Sequence, residues 1–182
     1  MLKTLIRIGS LAGVLSLTSI GSAQALPTAT GHGGLQAGLG FTLAQPDYGQ
    51  KNIEGFTAFA DLDLTPHIGI DADIHYVALD TPTDIAENTY VLGPRYTFRK
   101  GRFIPYVKVV AGVGALVIQE TQDNPGRYSG TYFMYGFGGG LDIVATHHFI
   151  VRAIDFEAQR WPGLGNGLTP TVYTAGVAYR FH

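Results

Sequence analysis

Residues 54–78 read EGFTAFADLDLTPHIGIDADIHYVA. Two alternating runs flank Thr65-Pro66-His67. In the first, Phe56, Ala58, Ala60, Leu62 and Leu64 lie opposite Thr57, Phe59, Asp61 and Asp63. In the second, Ile68, Ile70, Ala72, Ile74 and Tyr76 lie opposite Gly69, Asp71, Asp73 and His75. Period-two alternation on both sides of a short turn predicts an antiparallel hairpin. Alternation alone does not say which face is buried. A soluble sheet buries its apolar face, whereas a membrane barrel turns that face to lipid and fills its interior with polar or small residues. The polar face decides between them. An eight-stranded barrel is just wide enough inside for side chains. Such a lumen suits small residues and paired ions, and a second apolar core is not expected in it.

Six more segments repeat the pattern: LQAGLGFTL (35–43), NTYVLGPRYTF (88–98), PYVKVVAGVGALVI (105–118), TYFMYGFGGGLDI (131–143), FIVRAIDFEAQRW (149–161) and TPTVYTAGVAYRF (169–181). The connections after the second, fourth and sixth strands are tight: TPH around Pro66, RKGR around Gly101 and ATHH around His147. Those after the first, third, fifth and seventh are longer and polar. Short turns on the periplasmic side and long loops outside mark a transmembrane barrel. The expected fold is therefore all-β: an eight-stranded antiparallel up-and-down transmembrane barrel, with both ends on the periplasmic side. Tyr76, Tyr90, Tyr96, Phe98, Tyr179 and Phe181 share the apolar parity near strand ends, where interfacial girdles form. Trp161 is expected at the outer headgroup level.

The chain opens with Lys3 and Arg7 and no acid, then an apolar stretch, then Ala23 and Ala25 in a small-x-small arrangement. This predicts a signal peptide over residues 1–25, cleaved after Ala25, and a barrel domain over 26–182. The apolar run is short for a membrane-spanning helix. Cleavage would leave 157 of the 182 residues, one domain's worth. It would move the net charge from −2 to about −4. No basic face for nucleic acid is expected. The chain has no cysteine, which excludes disulfides and thiol catalysis.

The blocks LDLTPHIGIDADIHY, VLGPRYTF, PYVKVVAGVG, GFGGGLDI and VRAIDFE resemble, in order and spacing, the small outer-membrane beta-barrel domain family, the OmpA-like and opacity-like proteins. The resemblance covers nearly all the mature chain. It implies an eight-stranded barrel in the bacterial outer membrane and no single function. It also gives the end of the chain a meaning. VAYRFH resembles the closing Tyr-x-Phe pattern that the barrel-assembly machinery reads, with Tyr179 and Phe181 in place and His182 as one extra residue.

The lumen parity gathers Asp61, Asp63, Asp71, Asp73, Arg95, Lys108, Asp142 and Arg180 into an expected ion-pair network, with hydrogen bonds from Tyr106 or His75. Arg152 breaks the pattern. It shares parity with Ile154 and Phe156, while Asp155 and Glu157 belong to the lumen. An arginine at bilayer depth costs about 2–4 kcal/mol, falling toward zero near an interface, so two readings are open: Arg152 snorkels toward the headgroups near the start of the seventh strand, or a bulge between Val151 and Asp155 turns it inward, the second being preferred. Oxygen-rich clusters suit calcium, but no loop has calcium-binding spacing, and no metal or cofactor is expected. Ser129 is the only serine after residue 25, expected in the third long loop, away from His147 and His148 in a turn on the opposite side. A catalytic triad is therefore not expected. GFGGGLD lies inside a strand with no helix after it, so it is not a phosphate loop. The expected role is non-catalytic: envelope integrity, surface interaction or lipid contact. The expected partners are outer-membrane lipids and, during biogenesis, the assembly machinery, with the barrel a monomer. A narrow pore or carrier is the alternative, and a secreted soluble barrel binding an apolar ligand is the third reading.

Overall fold

The computed structural model describes residues 34–47, 52–79, 85–118, 128–163 and 167–181. The expected signal peptide and His182 lie outside them. Eight strands follow in order: β1 Gly34–Gln45, β2 Ile53–Asp63, β3 Ile68–Leu79, β4 Ile85–Thr97, β5 Phe103–Ile118, β6 Tyr128–Val144, β7 Phe149–Arg160 and β8 Thr171–Phe181. Each pairs antiparallel with the next, and β8 returns to β1, closing the barrel. The shortest strands have 11 residues, enough for the roughly 9–11 residues a tilted strand needs to span a bilayer.

The periplasmic turns are built from local chemistry. Thr65 Oγ1 accepts the Ile68 amide at 2.9 Å, and Thr146 Oγ1 accepts the Phe149 amide at 3.0 Å. TPHI and THHF thus fold as the same turn, with the threonine side chain standing in for a backbone acceptor. The third turn is a two-residue hairpin between Lys100 and Phe103. Gly101 occupies its first central position at φ 61°, a conformation that only glycine adopts cheaply.

The faces divide as a membrane barrel requires. Leu39 is 70% exposed and Phe137 65%, whereas Asp71 and Glu157 are each 0% exposed. Aromatic clusters lie on the outer face at both ends. On the periplasmic side, His67 stacks on Tyr96 and His148 on Tyr179, with Phe98 and Phe181 edge-on to those tyrosines. Toward the outer end, Phe41 meets Phe56 and Phe156 meets Tyr173.

β7 carries a bulge at the place where its alternation fails. Arg152 pairs with Gly176 and Asp155 with Thr174 on β8, so Ala153 and Ile154 together oppose Ala175. The extra residue lets Arg152 and Asp155 face inward together, with Ile154 turned to lipid.

Two expectations are corrected here. The interior is not free of apolar packing. Val91, Val110, Leu116, Met134 and Trp161 form a cluster, Ala44, Ile53, Val77 and Val172 a second, both toward the outer end. Phe59, Ile150 and Ala178 form a third on the periplasmic side. And Trp161 is not at the headgroups. It is 1% exposed, inside the outer mouth. A side chain on Gly114 would collide with its ring, and its indole nitrogen donates to Gln159 Oε1 at 3.0 Å. The same ring fills either role, and parity favours the inside because Trp161 continues the inward series Asp155, Glu157, Gln159.

Candidate functional site

The middle of the barrel is ionic and is arranged in two layers. The layer nearer the periplasm joins β2, β4, β6 and β7. Arg95 NH1 lies 2.6 Å from Asp61 Oδ1, and its NH2 lies 2.5 Å from Asp142 Oδ2. Arg152 NH2 lies 2.7 Å from Asp61 Oδ2, and its Nε lies 3.2 Å from Asp142 Oδ1. Two guanidinium groups thus bracket two carboxylates. Gln36 Nε2 on β1 donates to Asp61 at 2.5 Å. Aromatic faces complete the layer: Arg95 sits 3.7 Å from the Tyr106 ring centre and Arg152 3.8 Å from that of Phe59, close enough for cation–π attraction.

The layer above centres on Lys108. Its Nζ lies 2.5 Å from Asp73, 3.1 Å from Asp155, 3.2 Å from Asp71 and 3.4 Å from Glu157. Tyr106 donates its hydroxyl to Asp155. A chain of side chains steadies Glu157: Trp161 donates to Gln159, and Gln159 Nε2 donates to Glu157 Oε1 at 2.7 Å. On the far side, Thr42, Thr57 and Thr174 share hydroxyl bonds, and Thr57 Oγ1 lies 2.6 Å from His75 Nδ1. Gly138 and Gly140 of β6 face this layer, beside Lys108 and Tyr106 in the register. A side chain on Gly140 would strike the Tyr106 hydroxyl. The glycine run therefore makes room for the ionic side chains of its neighbours.

Of the eight residues expected in one network, Asp61, Asp71, Asp73, Arg95, Lys108 and Asp142 meet in these layers. Asp63 and Arg180 do not. Asp63 pairs with Arg99 at 2.5 Å on the partly exposed periplasmic rim. Arg180 makes no salt bridge among the described residues, because it lies one residue from the end of β8, four positions from the Gly176 that pairs with Arg152. Asp155 and Glu157 belong with the six, as their parity indicated. Gln36, Gln159 and the three threonines carry no charge, so only their inward parity could have marked them.

The structure does not bring Ser129 and His75 together. Ser129 lies at the start of β6, not in a loop, and is exposed, whereas His75 is 1% exposed in the lumen.

The family model described as outer membrane protein beta-barrel domain matches residues 12–181. No curated protein matches the chain in sequence. Solved structures share the fold at low identity. Neisserial surface protein A aligns with a TM-score of 0.63 and 14% identity, over 82% of this chain and 97% of that one. The N-terminal beta-barrel domain of OprF from Pseudomonas aeruginosa gives 0.59 and 15%, over 84% and 100%. Ail of Yersinia pestis, the attachment invasion locus protein crystallised with the heparin analogue sucrose octasulfate, gives 0.56 and 16%, over 83% and 100%.

Proposed function

Because the chain belongs to the outer membrane protein beta-barrel domain family, we propose that it serves the bacterial outer membrane as a closed, non-catalytic, monomeric barrel whose working surfaces are its lipid-facing wall and its outer loops. The observation that carries this reading is the filled interior. Trp161 and Met134 toward the outer mouth, Arg152 and Glu157 in the middle and Ile150 below are each at most 1% exposed. An eight-stranded cylinder has no spare cross-section once such side chains occupy it. The apolar wall fits lipid as its constant partner, and it excludes a soluble carrier, which would need that surface inside.

Planar-bilayer recording tests the reading against the pore. The expected trace is flat, with at most brief openings; steady open channels would replace the closed barrel with a narrow pore. Tyr179 and Phe181 are the residues through which the assembly machinery would read the closing strand, both outward-facing on β8. Changing both to alanine is expected to reduce outer-membrane insertion in cells more than refolding in detergent. Amino-terminal sequencing of the membrane-inserted protein is expected to begin at Leu26.

A further inference from the structure

The two ionic layers differ in charge balance. In the periplasmic layer, Asp61 and Asp142 meet Arg95 and Arg152, and the charges cancel. In the layer above, Asp71, Asp73, Asp155 and Glu157 share Lys108. Arg152 reaches Asp73 and Asp71 only at 3.7 and 3.9 Å, its shorter contacts going to Asp61 and Asp142. Four carboxylates against one ammonium leave the layer three positive charges short with a neutral His75, and two short with a protonated one. Buried charge persists only when it is paired or bound to a metal.

A second observation locates the shortfall. Among the described residues, the buried atoms of this layer without a hydrogen-bond partner are His75 Nε2, Asp73 Oδ1, Glu157 Oε2 and Asp71 Oδ2, and the first three belong to residues that converge. These same three residues offer ligand atoms within 4.8 Å of one another, with His75 Nε2 and Glu157 Oε2 3.9 Å apart. Their outer contacts aim them at a common point. Thr57 engages Nδ1 of the imidazole and leaves Nε2 to the interior. Gln159 holds Oε1 of Glu157 and leaves Oε2 facing His75. Outer partners of this kind orient metal ligands and fix the tautomer of a ligating histidine.

We propose that Asp73, His75 and Glu157 hold a divalent transition-metal ion inside the barrel. One imidazole nitrogen with two carboxylates suits zinc, cobalt(II) or manganese(II). Two added charges reduce the deficit from three to one, and Lys108 keeps Asp71, Asp155 and the Oδ2 of Asp73, whose Oδ1 is left for the ion. With apolar clusters above and the arginine layer below, the ion enters as the barrel closes.

Cobalt(II) is the probe. The mature chain is refolded from urea into detergent with cobalt or with EDTA, then gel-filtered. A variant with His67, His147 and His148 of the periplasmic turns changed to alanine removes binding at the rim. The expected result is about one cobalt per chain in the wild type and in the rim variant, with visible d–d absorption. His75→Ala and Glu157→Gln are expected to lose the ion. At cobalt about a hundredfold above the dissociation constant, the melting midpoint should rise by roughly 5–10 °C over EDTA. Equal cobalt in wild type, His75→Ala and Glu157→Gln would overturn the proposal. So would a midpoint that moves with pH between about 5 and 8 and ignores cobalt, since a proton would then complete the layer. If both substitutions prevent folding, the wild-type spectrum decides, and its absence overturns the site.

Discussion

Arg152 stands between Asp61 of β2 and Asp142 of β6, with the Phe59 ring against its guanidinium. Changing it to alanine leaves two buried carboxylates with Arg95 alone. Removing one partner of a buried pair costs about 3–5 kcal/mol, which lowers a melting midpoint for a chain of this size by roughly 10 °C. Lys108→Ala, which strands four acids, and Arg95→Ala are expected to melt lower as well. Thermal unfolding in detergent checks all three, and unchanged midpoints in Arg95→Ala and Lys108→Ala would remove the ionic layers as a source of stability. Trp161 makes the contrasting case. It fills apolar space rather than holding charge, so Trp161→Ala is expected to cost about 3–5 kcal/mol through the cavity it leaves. Gly114→Leu should also destabilise, because the new side chain competes for the ring's space. At this scale the sequence was legible wherever charge met strict alternation, as at Asp61, Asp71 and Asp73. It was misleading at Trp161, whose composition alone suits an interface as well as a packed mouth, and at Arg180, whose inward parity places it too near the strand end to reach the middle.

Strand β7 shows what one residue does to a whole element. Deleting Ala153 removes the extra residue and leaves Arg152 and Asp155 two positions apart. Strict alternation then keeps Ile150, Arg152, Asp155, Glu157 and Gln159 inward and turns Ile154 to lipid, so no charge is moved into the bilayer. The shortened chain is expected to fold as a barrel without loss of yield, read as the fraction that keeps its compact mobility on an unboiled gel. The bulge was legible because Arg152 shared parity with Ile154 while Asp155 and Glu157 required the opposite face. The turns were legible only as short breaks between alternating runs; the structure adds that TPHI and THHF each place a hydroxyl three residues before the amide whose bond it accepts. Removing that hydroxyl by Thr65→Ala or Thr146→Ala should cost about 1 kcal/mol each, a small shift in the same melt.

For the whole molecule, eight strands, their order and the outward grease followed from period two and the rhythm of loop lengths, since both are properties of the chain read one residue at a time. The layering of the interior did not follow. It depends on the stagger that brings Asp142 of β6 to Arg152 of β7 and on three-dimensional contacts such as Arg152 with Asp61, 91 positions apart. A barrel with this wall is expected to fractionate with the outer membrane and to shift in gel mobility only after boiling.

The distribution of charge around the ring has a consequence for how the cylinder shuts. Every ionised side chain of the two layers belongs to β2 through β7. Along the seam, β1 and β8 present Gly40, Thr42, Thr174, Gly176 and Ala178 to the interior. A curved sheet of six strands can therefore satisfy its charges while its margins are still apart. The two edges meet through residues that are uncharged apart from Arg180, which lies opposite Gln36 near the periplasmic end and outside both layers, so sealing the wall separates no ion of the layers from its partner.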